Sequence, residues 1–408
     1  METIQLTISE AVSVLVFWLI VVHRWHRQCA IALPSVPQVH PSQLENPPLV
    51  SVIVPARNEA HQIARCVRSL LAQDYPRLEV IAVDDCSEDE TGEILARLAE
   101  ADRRLTVVHG RPLPEGWMGK AHAIYEGYRV ARGEWLLFTD ADTEHAPFLL
   151  SGVMALILSS PASVATVLGR QRHPTVGVYL ANLAVFTYIF MVTDRRGFSD
   201  PRSRQSLVNG QYVIFSREAY EAVGTHEAVR QYSSTDVSLG YLAKLNGFVP
   251  LMIDGRDALW TTMYRSLAEA FHGWSRSLVN GIWTALGPGL GSAALVALTA
   301  GLWLFWVAPW FLVVRGAVRA GSVELVVGSG QVLAGLVVLR LKSGCWLSAV
   351  RDAVPMPLSF TLFTAMVVEG LARAWYRGGT VWKGRIVRTG QRLPPWEPKA
   401  VRPRRTGP

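Results

Sequence analysis

The chain is short of cysteine and of charge. Its four cysteines, Cys29, Cys66, Cys86 and Cys345, are scattered without paired spacing. That argues against a disulfide framework or a cysteine-built zinc site and suits a reducing cytoplasm. Charged residues are 18% of 408 positions against 50% hydrophobic, with a mean hydropathy of +0.21. Soluble domains carry about 25% charged residues. The composition is too apolar for an ordinary soluble protein and too polar for a pure membrane bundle; one soluble domain plus a few membrane spans fits. Lysine and arginine are missing where a cleaved signal peptide would need them, since Glu2 and Glu10 hold that place ahead of the uncharged run Ala11 to Val22. Arg24 and Arg27 follow the run. Residues 1–28 therefore read as a signal anchor whose C-terminal end lies in the cytoplasm. Ala32 to Pro48 holds five prolines, and residues 29–48 read as a linker.

Charge is also absent from Ser277 to Val314. Ser292 to Val314 is long enough to span a bilayer. Val323 to Leu341, interrupted by Glu324, and Val354 to Ala372, interrupted by Glu369, are two further candidates, with buried core helices as the alternative. Residues 277–377 thus read as a membrane domain of about three helices. The formal charge of +7 is concentrated in the tail 378–408, at Lys383, Arg385, Arg388, Arg392, Lys399, Arg402, Arg404 and Arg405. A basic flank beside apolar spans reads as an inner-leaflet contact rather than a nucleic-acid surface. Three spans put that tail on the wrong side of the membrane for the positive-inside tendency, and Gly287-Pro288-Gly289 is where a half-span could hide. Val176 to Val192 is apolar too, and is read as a lipid-facing helix beside an acceptor in preference to a core helix.

Trp135-Leu136-Leu137-Phe138-Thr139-Asp140-Ala141-Asp142 is the most informative stretch present. An apolar strand pattern ends in two carboxylates one residue apart. In an extended segment residues i and i+2 point the same way, so Asp140 and Asp142 can share a divalent cation whose shell a diphosphate completes. On this motif alone, such a site and a solvated acidic turn stand level. Upstream, Leu49 to Pro55 reads as a strand that leads into Arg57 and Glu59. Leu78 to Val83 reads as a second strand entering Asp84 and Asp85, with Ser87 and Glu90 spaced for a capping box. Leu105 to Val108 is a third strand. Gly119-Lys120 opens a helix closed by Gly133. Strands alternating with helices imply an α/β doubly wound, mostly parallel sheet with ligands at its C-terminal edge.

Val54-Pro55-Ala56-Arg57-Asn58-Glu59, Val83-Asp84-Asp85-Cys86-Ser87, Gly116-Trp117-Met118-Gly119-Lys120, Thr139-Asp140-Ala141-Asp142 and Ser234-Thr235-Asp236 occur in that order. The segment from Val50 to about Gly247 carrying them resembles a family 2 glycosyltransferase of GT-A, Rossmann-like fold. The Gly-Trp-Met-Gly-Lys piece resembles membrane members that glycosylate lipids, among them carotenoid- and hopanoid-associated enzymes and, more distantly, ceramide glucosyltransferase. The catalytic domain is expected over 49–276, on the cytoplasmic side of the cell membrane. The resemblance implies an inverting transfer from a nucleotide-sugar, expected to be a UDP-sugar, to a lipid hydroxyl, with Mn²⁺ or Mg²⁺ as cofactor.

Carried onto this sequence, the resemblance implies donor binding by Pro55, Arg57, Glu59, Asp84, Asp85, Lys120 and Asp140. Asp140 and Asp142 would hold the metal. Asp236 would be the general base, near the start of a helix running to Asn246 and stopped by Gly247, with Thr235 as its N-cap. The family usually has a second acid directly before the base, and this chain has Thr235 there. Asn209, Gly210 and Gln211 are expected to floor the acceptor side. Trp274 and Arg276 are expected to cover the donor or to anchor at the interface; the processive synthases' arginine–tryptophan element is absent. His122 and His145 are taken as structural. A processive polysaccharide synthase and a non-catalytic nucleotide-binding scaffold are the alternatives.

Overall fold

The computed structural model describes Val16, His23 and residues 32–402, except 194, 207, 233, 320, 344–345, 378–379, 383–384 and 388–392. The expected anchor's Arg24 and Arg27 lie outside the described residues. Two compact units emerge. One joins Leu33–Arg172, Gly197–Met263 and Gly379–Pro408; the other includes His173–Arg196 and Tyr264–Gly378.

The first unit is built on strands whose boundaries follow the apolar runs. They are β1 (Val50–Ala56), β2 (Leu78–Asp84), β3 (Leu105–His109), β4 (Trp135–Phe138), β5 (Thr143–His145), β6 (Val164–Leu168), β7 (Arg170–Gln171), β8 (Val213–Ser216), β9 (Leu251–Asp254) and β10 (Leu259–Thr261). The main sheet has seven strands in the order β3-β2-β1-β4-β8-β6-β9. All its pairings are parallel except those of β8, which runs antiparallel to β4 and β6. The expectation of a mostly parallel sheet holds, with one reversed strand. A second sheet, β5-β10-β7, lies beyond β4 in sequence.

Side-chain alternation splits the core between the two sheet faces. Val52, Val54, Val80, Ala82, Leu137 and Ile214 pack with helices Ile63–Leu71 and Leu149–Leu158. Ile53, Ile81, Val83, Leu136, Phe138 and Phe215 pack with helices Gly119–Val130 and Thr235–Leu245. Each such side chain, removed from water, contributes about 1.5–3 kcal/mol. The proline-rich stretch expected as a linker is docked rather than free. Ser35 bridges Asp254, Val36 N donates to Asp254 O at 3.2 Å, and Asp254 N donates to Pro34 O at 2.8 Å.

The second unit is helical: Val176–Val192, Leu267–Leu286, Pro288–Trp306, Ala308–Arg319, Ser322–Ser343, Trp346–Ala353 and Met356–Arg377. Met356–Arg377 packs on Val176–Val192, Leu267–Leu286 and Pro288–Trp306. The compact units divide at Met263, and Val176–Val192 belongs with the apolar helices. Among the described residues, two stretches are long and apolar enough to cross a membrane, Pro288–Arg319 and Val323–Arg340. A third, Leu347–Ala353 plus Met356–Tyr376, is bent by 51°. The interrupting acids are neutralised, Glu324 by Arg315 and Glu369 by Arg373, as acids inside apolar helices must be.

Candidate active site

The loops after β1, β2 and β4 converge at one edge of the sheet. Those after β1 and β2 lock each other. Arg57 Nη1 donates to Asp85 O at 2.7 Å and to Cys86 O at 3.0 Å; Asn58 N donates to Ser87 Oγ at 3.0 Å, and Glu88 N to Asn58 Oδ1 at 2.8 Å. This mesh holds Asn58 and Cys86 at φ 53° each, a left-handed backbone that costs a non-glycine residue about 1–2 kcal/mol. Ser87 is thus not a helix cap. The following helix starts at Thr91, its N-cap residue Glu90 makes no side-chain cap, Thr91 N donates to Asp89 Oδ1 at 3.0 Å, and Ser87 N donates to Asp84 Oδ1 at 3.1 Å. Asp84 is half-buried and Asp85 buried. Pro55 lies within β1, opposite Val83.

The strand β4 ends at Phe138, so Asp140-Ala141-Asp142 is a turn into β5, not the extended tip expected. The turn is held from several sides. Thr139 N donates to Ile53 O at 3.2 Å, Thr139 Oγ1 to Gln211 O at 2.7 Å, Thr143 Oγ1 to Asp140 O at 2.7 Å, and Thr262 N to Asp142 O at 3.0 Å. Beneath it lie Cys66 and His145. His145 Nε2 shares hydrogen bonds with Thr143 Oγ1 at 2.9 Å and Thr139 Oγ1 at 3.3 Å. Burial pushes the Cys66 thiol up to about 12 and pulls the His145 imidazole down to about 3. Both are neutral supports for the turn. His122, also buried, meets the Trp117 ring edge-on at 5.4 Å.

Lys120, from the first turn of helix Gly119–Val130, reaches Asp140 Oδ1 at 2.5 Å. Burial alone would lower its ammonium, but the charges of Asp140 and Asp236 outweigh that and raise it. Asp142 lies deeper in charge terms. Burial, then Asp140, then Glu59 push its carboxyl up to about 7, and its buried Oδ1 has no hydrogen-bond partner. A divalent cation would meet that unpaired oxygen and relieve the crowding of three acids. Among the described residues no group of three or more His, Cys, Asp or Glu is arranged to hold a metal by itself. Two carboxylates completed by a donor's phosphates are the arrangement Mg²⁺-type cations take in phosphate-transfer sites.

Asp236 stands in the first turn of helix Thr235–Leu245. Gly210 N donates to its Oδ2 at 3.1 Å. A Cβ on Gly210 would lie 2.8 Å from that oxygen and 3.1 Å from Lys120 Nζ, so a side chain there would have to shift Asp236 or Lys120. Thr235 is buried and inside the helix; Ser234 is the N-cap position and makes no side-chain cap. The capping role expected of Thr235 is therefore wrong. Asn209 Nδ2 donates to Val167 O at 3.1 Å and Gln171 Nε2 to Gln211 Oε1 at 2.9 Å, which fixes the 209–211 turn.

The structure thus brings Glu59, Lys120, Asp140, Asp142, Gly210 and Asp236 together. Trp274 and Arg276 fall in the helical unit. Trp274 is 7% exposed and donates from Nε1 to Asn182 Oδ1 at 2.8 Å, and Arg276 is half-buried. One feature of the site has no signal in the sequence: Glu144 after the acidic turn, paired with Arg65 at 3.5 Å and with Arg172. The three are far apart in the chain, and no local spacing announces them.

Residues 51–224 match the family model for glycosyl transferase family 2. The chain is 38% identical over 94 residues to the glycosyltransferase GlyG of Streptococcus pneumoniae, covering 23% of this chain and 30% of that protein. It is 24% identical over 351 residues to the 4,4'-diaponeurosporenoate glycosyltransferase of Staphylococcus aureus, covering 82% of this chain and 87% of that one. The fold is similar to that of the mannosyltransferase PcManGT from Pyrobaculum calidifontis, solved in complex with GDP-Man and Mn²⁺, at a TM-score of 0.51 and 20% identity over 90% of this chain and 97% of the other. With the acidic turn at the sheet edge and the match over residues 51–224, this part of the chain carries a glycosyl transferase family 2 domain, and its fold is GT-A.

Proposed function

We propose that this glycosyltransferase is a membrane-bound, inverting enzyme that moves one sugar from a nucleoside diphosphate donor, taken to be a UDP-sugar, to a lipid hydroxyl, with its catalytic domain on the cytoplasmic side. The observation that carries the reading is the meeting of Lys120, Asp140, Asp142 and Asp236 at one sheet edge. The acceptor oxygen attacks the anomeric carbon from the face opposite the leaving group. Its O–H proton passes to an Asp236 oxygen as the new C–O bond forms. The bond from the anomeric carbon to the diphosphate breaks, and the nucleoside diphosphate departs with the electron pair. Gly210 N, donating to Asp236 Oδ2 at 3.1 Å, and Val237 N, donating to Oδ1 at 3.0 Å, hold the carboxylate in place. Lys120 sets a positive charge beside Asp140, where the departing diphosphate gains its own negative charge. Asp84 and Asp85, on the loop after β2, suit the nucleoside. Asp140 and Asp142 are the residues that would hold Mn²⁺ or Mg²⁺, which neutralises the leaving group when bound.

The lipid part of the reading rests on the apolar helices 288–319 and 323–340 and on the staphylococcal relative's name. That name favours a second reading. The acceptor named there is a carboxylate, already ionised at neutral pH, and a carboxylate nucleophile needs no base. Its product would be an ester, cleaved by mild alkali, whereas a glycoside of a hydroxyl survives. The metal is tested directly. Membranes carrying the wild-type chain should lose transfer in EDTA and regain it with Mn²⁺ or Mg²⁺. Asp142→Asn should be inactive at any metal concentration while remaining folded by thermal melting. Full transfer in EDTA, or by the Asn variant, would remove the metal from the account.

A further inference from the structure

The described end of the tail, residues 393–402, runs along the far end of the helix that carries Asp236. Lys399 N donates to Leu245 O and Arg402 N to Gly247 O, each at 2.9 Å. The Leu245 carbonyl is among those a helix C-terminus leaves unpaired, and Gly247 is the residue after the C-cap. Lys399 Nζ donates to Asn246 Oδ1 at 2.8 Å, a cation where the helix dipole is negative. Gly247 has φ +87°, and a Cβ there would sit 2.1 Å from Ala400 O. Trp396 lies against Tyr241 with ring centroids 5.2 Å apart, and Tyr241 Oη donates to Pro394 O at 2.8 Å. The indole also faces Lys244, whose ammonium stands 6.0 Å from the ring centre.

Lys244 joins a third segment to the pair. It is 1% exposed, and its Nζ donates to Gly197 O at 2.7 Å and to Gln205 O at 2.6 Å. Trp396 Nε1 donates to Arg202 O at 3.3 Å in the same loop. That loop leads directly into Val208, Asn209 and Gly210, the partner of Asp236. The tail, the Asp236 helix and the loop before Gly210 are therefore stitched into one body through Trp396, Tyr241 and Lys244.

We propose that residues 393–402 are a strap that returns the chain to the catalytic unit and holds the Asp236 helix and the Gly210 loop in working register. The inference rests on Asp236 as the base. It has a consequence for the membrane. The chain leaves the catalytic unit at Met263 and is back on it at the strap, so the proposal requires the helices between to cross a bilayer an even number of times. The candidates Pro288–Arg319 and Val323–Arg340 supply two crossings. On this reading the bent pair Leu347–Ala353 and Met356–Tyr376, with Arg351, Asp352, Glu369 and Arg373 along it, is not a third. The basic tail then lies on the catalytic side, as the positive-inside tendency asks.

Two measurements on the full chain test this. In the first, Trp396→Ala should lower kcat about tenfold, since small misplacement of a catalytic group costs up to about 100-fold. Nucleotide Kd should stay as in wild type, and Trp396→Phe, which keeps the ring stack, should restore most of kcat. Unchanged kcat in Trp396→Ala, or equal loss of nucleotide binding, overturns the strap as a positioning device. In the second, Glu115→Cys and Glu397→Cys, both at exposed positions, are labelled with a membrane-impermeant thiol reagent in intact cells and after lysis. Both should react only after lysis; opposite behaviour of the two overturns the shared side. Asp236→Asn run in parallel separates the readings. If it is dead and Trp396→Ala is normal, the strap alone fails. If it is active, the base fails and the labelling still decides the strap.

Discussion

In the proposed reaction the chemistry turns on Asp236 and on Gly210, whose N–H donates to Asp236 Oδ2. The sequence showed Asp236 as a lone acid after a threonine and Gly210 as a member of a polar turn. It did not show that the glycine lies between the acid and Lys120, because that contact joins three distant segments. Asp236→Asn keeps the size and the hydrogen bond from Gly210 but cannot take a proton. Loss of a positioned base costs about 10²–10⁴-fold in rate, so its kcat should fall by that range with nucleotide Kd unchanged, by titration of purified protein. Gly210→Ala should lose turnover as well, because its methyl would displace Asp236 or Lys120. Thr235→Ala is the control. Since Thr235 caps nothing, it should keep most turnover. Activity in Asp236→Asn with an alkali-labile product would move the assignment to the carboxylate acceptor.

At the scale of elements, strands and helix positions followed from apolar runs and their polar stops, and these gave the sheet edge where the site lies. What failed was local chemistry at element ends. Ser87 and Glu90 had capping-box spacing, yet Ser87 Oγ is taken by Asn58 N from another loop. Asp140 and Asp142 meet through a turn, not through strand alternation. Tertiary bonds outbid local ones in both places, and a sequence does not display them. The short helix Arg217–Ala222 gives a further case. Tyr220 Oη and His226 Nδ1 lie 2.7 Å apart in the buried layer beside Phe138. Burial, helped by Lys120, pulls His226 down to about 3. An unfolded histidine titrates near 6.5, so between those values the unfolded chain binds a proton that the folded one refuses. Stability is whole above about pH 6.5 and falls on acidification toward pH 3, by up to about 1.4 kcal/mol per pH unit for each such group. The melting temperature of detergent-solubilised protein should fall from pH 7 to pH 4.5. In His226→Gln, less stable at pH 7, the fall should be shallower. An unchanged slope would assign the acid sensitivity to other groups, His145 first.

On the scale of the whole molecule, composition pointed to a soluble domain with membrane helices, and the structure has one α/β unit and one unit of apolar helices that also takes in Val176–Val192. Val176–Val192 reads alike as a core helix and as a membrane-associated one, because both are apolar on every side. The strap was illegible for the opposite reason. Residues 393–402 have no periodicity, and their positive charge pointed to a lipid surface rather than to the helix end that Lys399 and Arg402 meet. The central claim is transfer of a single sugar to a lipid by the Asp140–Asp142–Asp236 site. It is tested most directly by incubating membranes that carry the wild-type chain or Asp236→Asn with a panel of nucleotide-sugars and Mn²⁺, then analysing the extracted lipids by mass spectrometry. The account predicts one organic-extractable lipid heavier by a single sugar residue with the wild type and none with the variant. An insoluble polymer, or nucleotide binding with no transfer from any donor, would contradict it.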